Sequence, residues 1–302
     1  MQRVLAVQAQ DLRAARLAIR ARTRGVTAAE VDRLLADGSL VVGWLLRGTL
    51  HLVLAEDYRW LLTLTAPTRL ATNRRRLGQE GVSPDDAERA VATVELALTE
   101  SGPLTRGELA TLLAAEGIRT EGQAMHHLLV LAALRGVAVL GPPRDDRQTF
   151  VLARDWLGPP KPVDRDAAVA ELGRRYLAAH APATPADLAR WSGLPLYDTR
   201  RLPAGSLGPP PAVPPPPRLL GAFDPYLLGW KDRSFAVPAE HAHRVHPGGG
   251  VLRAIAAVDG EAAGTWARRG GRIEIEPFSL LRPGDERALA AEAEDIRRFE
   301  VG

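Results

Sequence analysis

Gln8 and Gln10 are the residues whose type and spacing most invite a chemical reading. They stand one residue apart in Val4-Leu5-Ala6-Val7-Gln8-Ala9-Gln10-Asp11-Leu12, between an apolar run and an arginine-studded segment. A side-chain amide neither gains nor loses a proton near neutral pH. Such a pair can therefore work by orientation and dipole, not as a general acid or base. The plainer reading is two polar residues at a helix end, and the stretch by itself does not rise above it. Side chains two positions apart diverge by about 200° on a helix but share a side when the chain is extended. A joint task for the two amides therefore requires the backbone near Ala9 to leave regular helix.

The elements around this pair follow from local signals. Residues 1–22 read as helical with a break near the glutamines: Leu12, Ala15 and Ile19 form one face, and Arg13, Arg16 and Arg20 another. Gly25 ends this helix, and Thr27-Ala28-Ala29-Glu30 is a capping box that opens the next. Leu40–Val42 and Thr49–Val53 then read as a hairpin across Leu46-Arg47-Gly48. Helices followed by a short hairpin make a winged helix-turn-helix. The plan repeats downstream. Helices are expected over 84–100, from the Thr105 cap to Gly117, and over 121–135, followed by strands at 137–140 and 149–152. A third copy starts with a helix over 164–180 and a Thr184-Pro185 cap. Its recognition helix is reduced to a piece around 197–202. A proline-rich stretch, Pro203–Pro217, stands where its wing would be.

Beyond residue 218 the pattern turns to strands, at 219–223, 251–258 and 272–278, with Asp259-Gly260 as a hairpin signal and a closing helix over 284–299. The fold class is thus α+β: tandem winged helix-turn-helix domains followed by a small C-terminal β-barrel-like domain. The expected boundaries are 1–66, 67–158, a truncated third copy at 159–202, the linker at 203–217 and the β-rich domain at 218–302.

Composition narrows the function. The 302 residues contain no cysteine, which removes disulfides, thiolate nucleophiles and cysteine metal sites together. No apolar run is long enough to span a membrane and no secretory signal is evident, so a cytoplasmic location is expected. Of 39 basic residues only Lys161 and Lys231 are lysines. Arginine suits planar recognition of phosphates and base edges. The densest cluster, Arg69 with Arg74, Arg75 and Arg76, lies on the connection between the first two copies. It reads either as a phosphate contact that adds affinity without sequence choice or as a solvated, partly disordered connector. His126 and His127 fall on an unpromising base-reading helix and are expected to pack. His241, His243 and His246 are spaced as imidazole ligands, but a structural zinc site wants four ligands, so no metal and no cofactor are expected. Nucleophile elbows, phosphate-binding glycine loops and HExxH segments are missing.

Four ordered segments then carry a resemblance. Val7-Gln8-Ala9-Gln10, the RGTLHLV stretch at 47–53 followed by Ala55-Glu56-Asp57, GAFDPYLLGWKDRS at 221–234 and GTWARRGGRIEIEPF at 264–278 together resemble the AlkZ-like (YcaQ-like) family of bacterial winged-helix DNA glycosylases. The resemblance spans nearly the whole chain. It implies tandem winged helices and a β-barrel-like domain around a DNA channel, and it places the family's catalytic glutamine–aliphatic–glutamine motif on Gln8, Ala9 and Gln10. The implied reaction is hydrolysis of the N-glycosidic bond of cationic N7-alkylated purines, with unhooking of interstrand crosslinks. A cationic base leaves without acid catalysis, so the amides need only position water and stabilise the sugar cation. Within the second segment Arg47 and His51 are expected to contact DNA or the lesion. Asp224 is expected to cap the turn before Pro225 rather than touch substrate. Two departures from the family stand out: relatives carry a further helix before the motif, which here begins eight residues from Met1, and the third wing is missing. An exposed cleft and DNA binding through copies one and two are the corresponding expectations. The partner implied is double-stranded DNA with alkylated purines, bound by a monomer away from membranes. A non-catalytic winged-helix DNA-binding protein or transcriptional regulator is the alternative. It would show operator-specific binding, where a repair enzyme would bind with little sequence preference and steep salt dependence.

Overall fold

The computed structural model of the protein describes residues 1–145, 147–200 and 215–302. Most of the expected proline linker (203–214), the last two positions of the piece expected at 197–202 and Asp146 in the second hairpin turn lie outside the described residues.

The chain begins with a strand, not a helix. Strand β1 (Ala6–Gln8) pairs antiparallel with β3 (Thr49–Leu54), in the register Ala6–Val53, Val7–Leu52 and Gln8–His51. Every β1 residue is buried, and a strand buried on both faces shows an unbroken apolar run that periodicity cannot tell from helix. Helix α1 (Leu12–Arg20) starts only after Asp11, whose carboxylate accepts from the N–H groups of Arg13 and Ala14. The glutamines therefore precede the cap and lie outside the helix.

Helix α2 (Ala28–Ala36) opens on the expected Thr27–Glu30 capping box, and β2 (Leu40–Leu45) forms the hairpin with β3. The connection that follows is no loose segment: α3 (Ala55–Gln79) is a 25-residue helix that absorbs Pro67 and carries all four clustered arginines. After it come α4 (Pro84–Ser101), β4 (Leu104–Thr105), α5 (Arg106–Ala115) on its Thr105–Glu108 capping box, α6 (Ala124–Leu134), β5 (Ala138–Leu140) and β6 (Thr149–Leu152). The order helices-then-hairpin thus occurs twice, as the sequence implies. The two hairpins are joined through Val42 and Leu140 into one six-stranded antiparallel sheet of order β1-β3-β2-β5-β6-β4.

Helices α7 (Ala153–Leu157), α8 (Arg165–His180), α9 (Pro185–Ser192) and α10 (Leu196–Arg200) form the third stretch. Then come β7 (Arg218–Leu220), the short helices α11 (Pro225–Leu228) and α12 (Ala242–Val245), β8 (Ile255–Val258), β9 (Glu261–Arg269), β10 (Arg272–Pro277) and α13 (Pro283–Val301). Their strands make a four-stranded antiparallel sheet of order β10-β9-β8-β7. The molecule is α+β, with two antiparallel sheets. Leu289, Ile296 and Phe299 of α13 share one core with Leu219 and Trp266 of the second sheet and with Val7, Leu17, Ile19 and Leu52 around β1. Full burial of such side chains contributes about 1.5–3 kcal/mol each. This core anchors the glutamine strand from below.

His180 ties the third stretch to the C-terminal part. Its ring lies 4.7 Å from Tyr176, 5.7 Å from Trp191 and 5.1 Å from Trp230. Gly229 admits it, since a Cβ there would fall 2.1 Å from the imidazole. Burial holds its pKa down at about 4. The unfolded value is about 6.5, so the neutral ring contributes stability that is complete above about pH 6.5 and is lost as pH falls toward the folded value. For His180 this amounts to on the order of 3 kcal/mol. Thermal unfolding is expected to show Tm falling between pH 6.5 and pH 4.5, and a His180→Phe variant should show a flatter profile. Parallel profiles for the two proteins would contradict this account.

Candidate active site

The strand that carries the glutamines also brings them together. The Ala9 N–H donates to the Leu50 carbonyl at 2.8 Å, which keeps the chain extended past the end of β1. Both amides then emerge on one side, as their alternation along an extended chain requires. Gln8 Nε2 donates to Gln10 Oε1 at 2.7 Å. Gln8 is only 8% exposed, whereas Gln10 stands in solvent. The backbone departs from helix at Ala9 as a shared task demands.

Arg47 fixes the orientation of the pair. It lies in the β2–β3 turn, donates to Gln8 Oε1 at 3.1 Å, and gives its other guanidinium nitrogen to the Trp191 carbonyl at the end of α9. Gly193 makes this docking possible. It terminates α9 in the left-handed conformation at φ +76°, and a Cβ there would meet Arg69 Nη2 at 2.7 Å and the backbone of Leu46 and Arg47 at 3.2 Å. With α9 seated on the turn, Arg190 is placed at the cleft beside Arg47. The third stretch therefore contributes Arg190 to one wall of the cleft.

The cleft has a volume of about 660 Å³. Gln8, Gln10, Arg47, Thr49 and Arg190 line it from the first and third stretches. Phe223, Leu228, Arg233, His246 and the Gly248–Gly250 loop line it from the C-terminal part. No acidic side chain is among its lining residues. Arg47, Arg69, Arg190 and Arg233 form no ion pair with any carboxylate among the described residues. Burial, followed by repulsion from Arg190, Arg233 and Arg69, pushes the Arg47 pKa down to about 10, still cationic at neutral pH. Burial and Arg190 lower that of Arg233, and burial with Arg233 lowers that of His246. The Thr49 hydroxyl is enclosed and has no hydrogen-bond partner among the described residues.

The other expected site residues go elsewhere. His51 sits opposite Gln8 in the register but is 2% exposed, with Nδ1 donating to the Thr49 carbonyl at 2.8 Å. Desolvation and Arg47 push its pKa down to about 3, so it is a neutral ring packed within the sheet and not an exposed contact. Arg69 reaches the Gly193 carbonyl at 3.4 Å behind the cleft. Arg74, Arg75 and Arg76 are exposed on the second half of α3 and do not line the cleft; the helix removes the disordered-connector reading. His127 bonds Asn73 and His126 packs edge-on against Trp44, as packing residues would. Of the three spaced histidines only His246 faces the cleft, and no group of metal-binding side chains occurs among the described residues. Asp224 is buried, caps α11 through the Tyr226 N–H at 2.8 Å and pairs with Arg22, the structural part expected of it.

Sequence reading missed Arg190, Arg233, Thr49, Phe223 and the Gly248–Gly250 loop. Thr49 lies in the 47–53 segment and Phe223 and Arg233 in the 221–234 segment, so three of these had a signal. Arg190 had none, being one arginine on an ordinary capped helix.

The chain matches the family described as DNA glycosylase AlkZ-like over residues 1–299. It is 29% identical, over 337 aligned residues covering 98% of this chain and 88% of the relative, to an interstrand DNA cross-link repair glycosylase of Streptomyces sahachiroi. Its structure is similar to that of the Streptomyces sahachiroi DNA glycosylase AlkZ, with a TM-score of 0.81 and 26% identity over 99% of this chain and 89% of that one. No described helix is long and apolar enough to cross a membrane. A match over all but the last three residues, with the glutamine pair held together in a basic cleft, makes the chain a member of the AlkZ-like DNA glycosylase family.

Proposed function

We propose that this protein hydrolyses the N-glycosidic bond of cationic N7-alkylated purines in double-stranded DNA and unhooks interstrand crosslinks built on them, with Gln8 and Gln10 as the catalytic pair. One observation carries the reading: the amides touch each other at 2.7 Å on the wall of an open, acid-free cleft. Each carbonyl oxygen has two lone pairs. Arg47 occupies one on Gln8, and the Gln8 amide N–H occupies one on Gln10. The remaining two can hold the protons of a single water, leaving its oxygen free to attack the anomeric carbon. Gln10 Nε2 has no partner among the described residues and is left to donate to the nucleotide.

No general acid is needed, because a purine alkylated at N7 already carries the charge that makes it leave. The same reasoning sets the limit of the activity. Neutral bases, which require protonation, should not be released. An open cleft also suits a crosslink, whose second strand cannot be drawn into a closed pocket.

The repeated helix-and-hairpin order supports two winged-helix units at 1–66 and 67–158 sharing one sheet, a reduced third unit at 159–202 and a β-rich unit from 218 onward. In this reading the exposed Arg74, Arg75 and Arg76 bind phosphate along the duplex, and the protein works as a monomer in the cytoplasm. The test is direct. Purified protein is incubated with duplex carrying N7-methyldeoxyguanosine or a crosslink, and abasic sites are counted by alkaline cleavage. Release above the spontaneous rate, with little dependence on flanking sequence, is expected. Tight binding to one operator sequence with no release would favour the regulator.

A further inference from the structure

The glycosylase reading leaves an electrostatic imbalance in the cleft. At the transition state the sugar gains positive charge, yet Arg47, Arg190 and Arg233 line the same space, and no acidic side chain lines it. An enzyme stabilises charge by placing opposite charge beside it. Here the protein supplies charge of the same sign, so the balancing anion must come with the substrate. Duplex DNA carries one on each linkage.

Arg47 is not free to take that anion, because its nitrogens serve Gln8 and the Trp191 carbonyl. Arg190 has no hydrogen-bond or ion-pair partner among the described residues. Arg233 commits only Nε, to the Leu227 carbonyl, and keeps both terminal nitrogens available. Across the cleft, Gly248, Gly249 and Gly250 adopt left-handed φ values of +102°, +60° and +77°, and a Cβ at any of them would meet nothing within 4 Å. The N–H groups of Gly249 and Gly250 have no partner among the described residues. Successive free amides on such a loop, with no side chain in front of them, make an anion-accepting concavity that a sugar–phosphate backbone can approach closely.

We infer that Arg190 and Arg233, with the Gly248–Gly250 loop, hold one backbone phosphodiester adjoining the damaged nucleotide, and that this phosphate is the counter-ion of the sugar cation. The inference rests on the glycosylase reading. The substrate thus supplies the negative charge that the glutamines cannot. Arg190 and Arg233 are positioning residues in this scheme: they bind the phosphate, and the phosphate faces the reacting sugar. The two arginines come from the third stretch and from the C-terminal part, so the phosphate also bridges the two sides of the cleft.

A neutral-linkage scan tests this. Duplexes containing one N7-methyldeoxyguanosine carry a single uncharged methylphosphonate, moved one linkage at a time. With the unaltered protein, one linkage next to the lesion should slow excision by about tenfold or more, while distant linkages should cost no more than about twofold. The exposed Arg190→Gln variant and the Arg190→Gln/Arg233→Gln pair should be slower on charged DNA and lose their sensitivity to that one linkage. The same positions are read in binding, by fluorescence anisotropy on duplex with a tetrahydrofuran abasic analogue. This readout needs no catalysis, so it separates failure of the phosphate site from failure of the glycosylase reading. Position-specific coupling in either readout supports the inference. Equal losses at every linkage, or the same linkage sensitivity with and without the two arginines, would overturn it. Circular dichroism of the variants identifies any that fail to fold, and Arg190→Gln alone, at an exposed helix position, then decides.

Discussion

Replacing Gln8 and Gln10 together with alanine should lower release of N7-methylguanine by about 10²–10³-fold, the scale seen when a preorganised polar group is removed from a transition state. Duplex affinity should change by less than about threefold, because neither amide carries charge and the basic wall stays intact. The single variants should be unequal. Gln8 is buried and held by Arg47, so its loss leaves one guanidinium nitrogen of Arg47 without its acceptor and removes the donor that orients Gln10. Gln10→Ala removes one water contact and leaves Arg47 and Gln8 bonded. Gln8→Ala is therefore expected to cost more, and the double variant less than the product of the two, since both act on one water. Single-turnover rates with enzyme in excess, alongside anisotropy titrations, give the two quantities separately. A double variant within about threefold of the unaltered rate would remove the glutamines from the mechanism.

Gly193→Ala is expected to be the most damaging single methyl near the site. Two costs coincide there. The left-handed φ of +76° strains any residue with a Cβ, and that Cβ would press on the Leu46 and Arg47 backbone at 3.2 Å and on Arg69 at 2.7 Å. The first cost is about 1 kcal/mol; close contact with backbone adds roughly 1–3 kcal/mol unless α9 moves away. If α9 moves, Arg47 loses the Trp191 carbonyl and Gln8 loses its orientation, so excision should fall by about tenfold or more. Gly158→Ala supplies the control, with φ +69° and nothing within 4 Å of its Cβ. It carries the dihedral cost alone and lies away from the cleft. A Gly193→Ala protein that matches Gly158→Ala in both Tm and excision rate would show that the docking of α9 does not govern the site.

Much of the architecture was legible from local signals. The capping boxes at Thr27, Thr105 and Thr184 all form, because a cap is decided within four residues of chain. The two hairpins and the closing helix appear close to where alternation and amphipathicity place them. Errors fell where local pattern is ambiguous or where a partner decides. Val4–Gln8 looks helical until β3 is beside it, since a strand buried on both faces has no alternation to show. The Arg69–Arg76 cluster reads as part of a connection between two units, yet it lies on the continuous helix α3, which packs against α6 and α8.

The sequence by itself determined the family, through four ordered motifs, and the chemical character of the glutamine pair, through side-chain type alone. It also determined that no cysteine chemistry is available. Only the tertiary structure decided that the two amides meet, because that depends on β1 pairing with a strand more than forty residues away. Only it could bring Arg47, Arg190 and Arg233 to one cleft without a carboxylate, since these residues belong to three separate stretches of chain. Residue types and caps are properties of neighbours in sequence. A basic cleft around two touching amides arises from long-range packing, where the chain returns three times to one place and the charge of each visit is felt by the others.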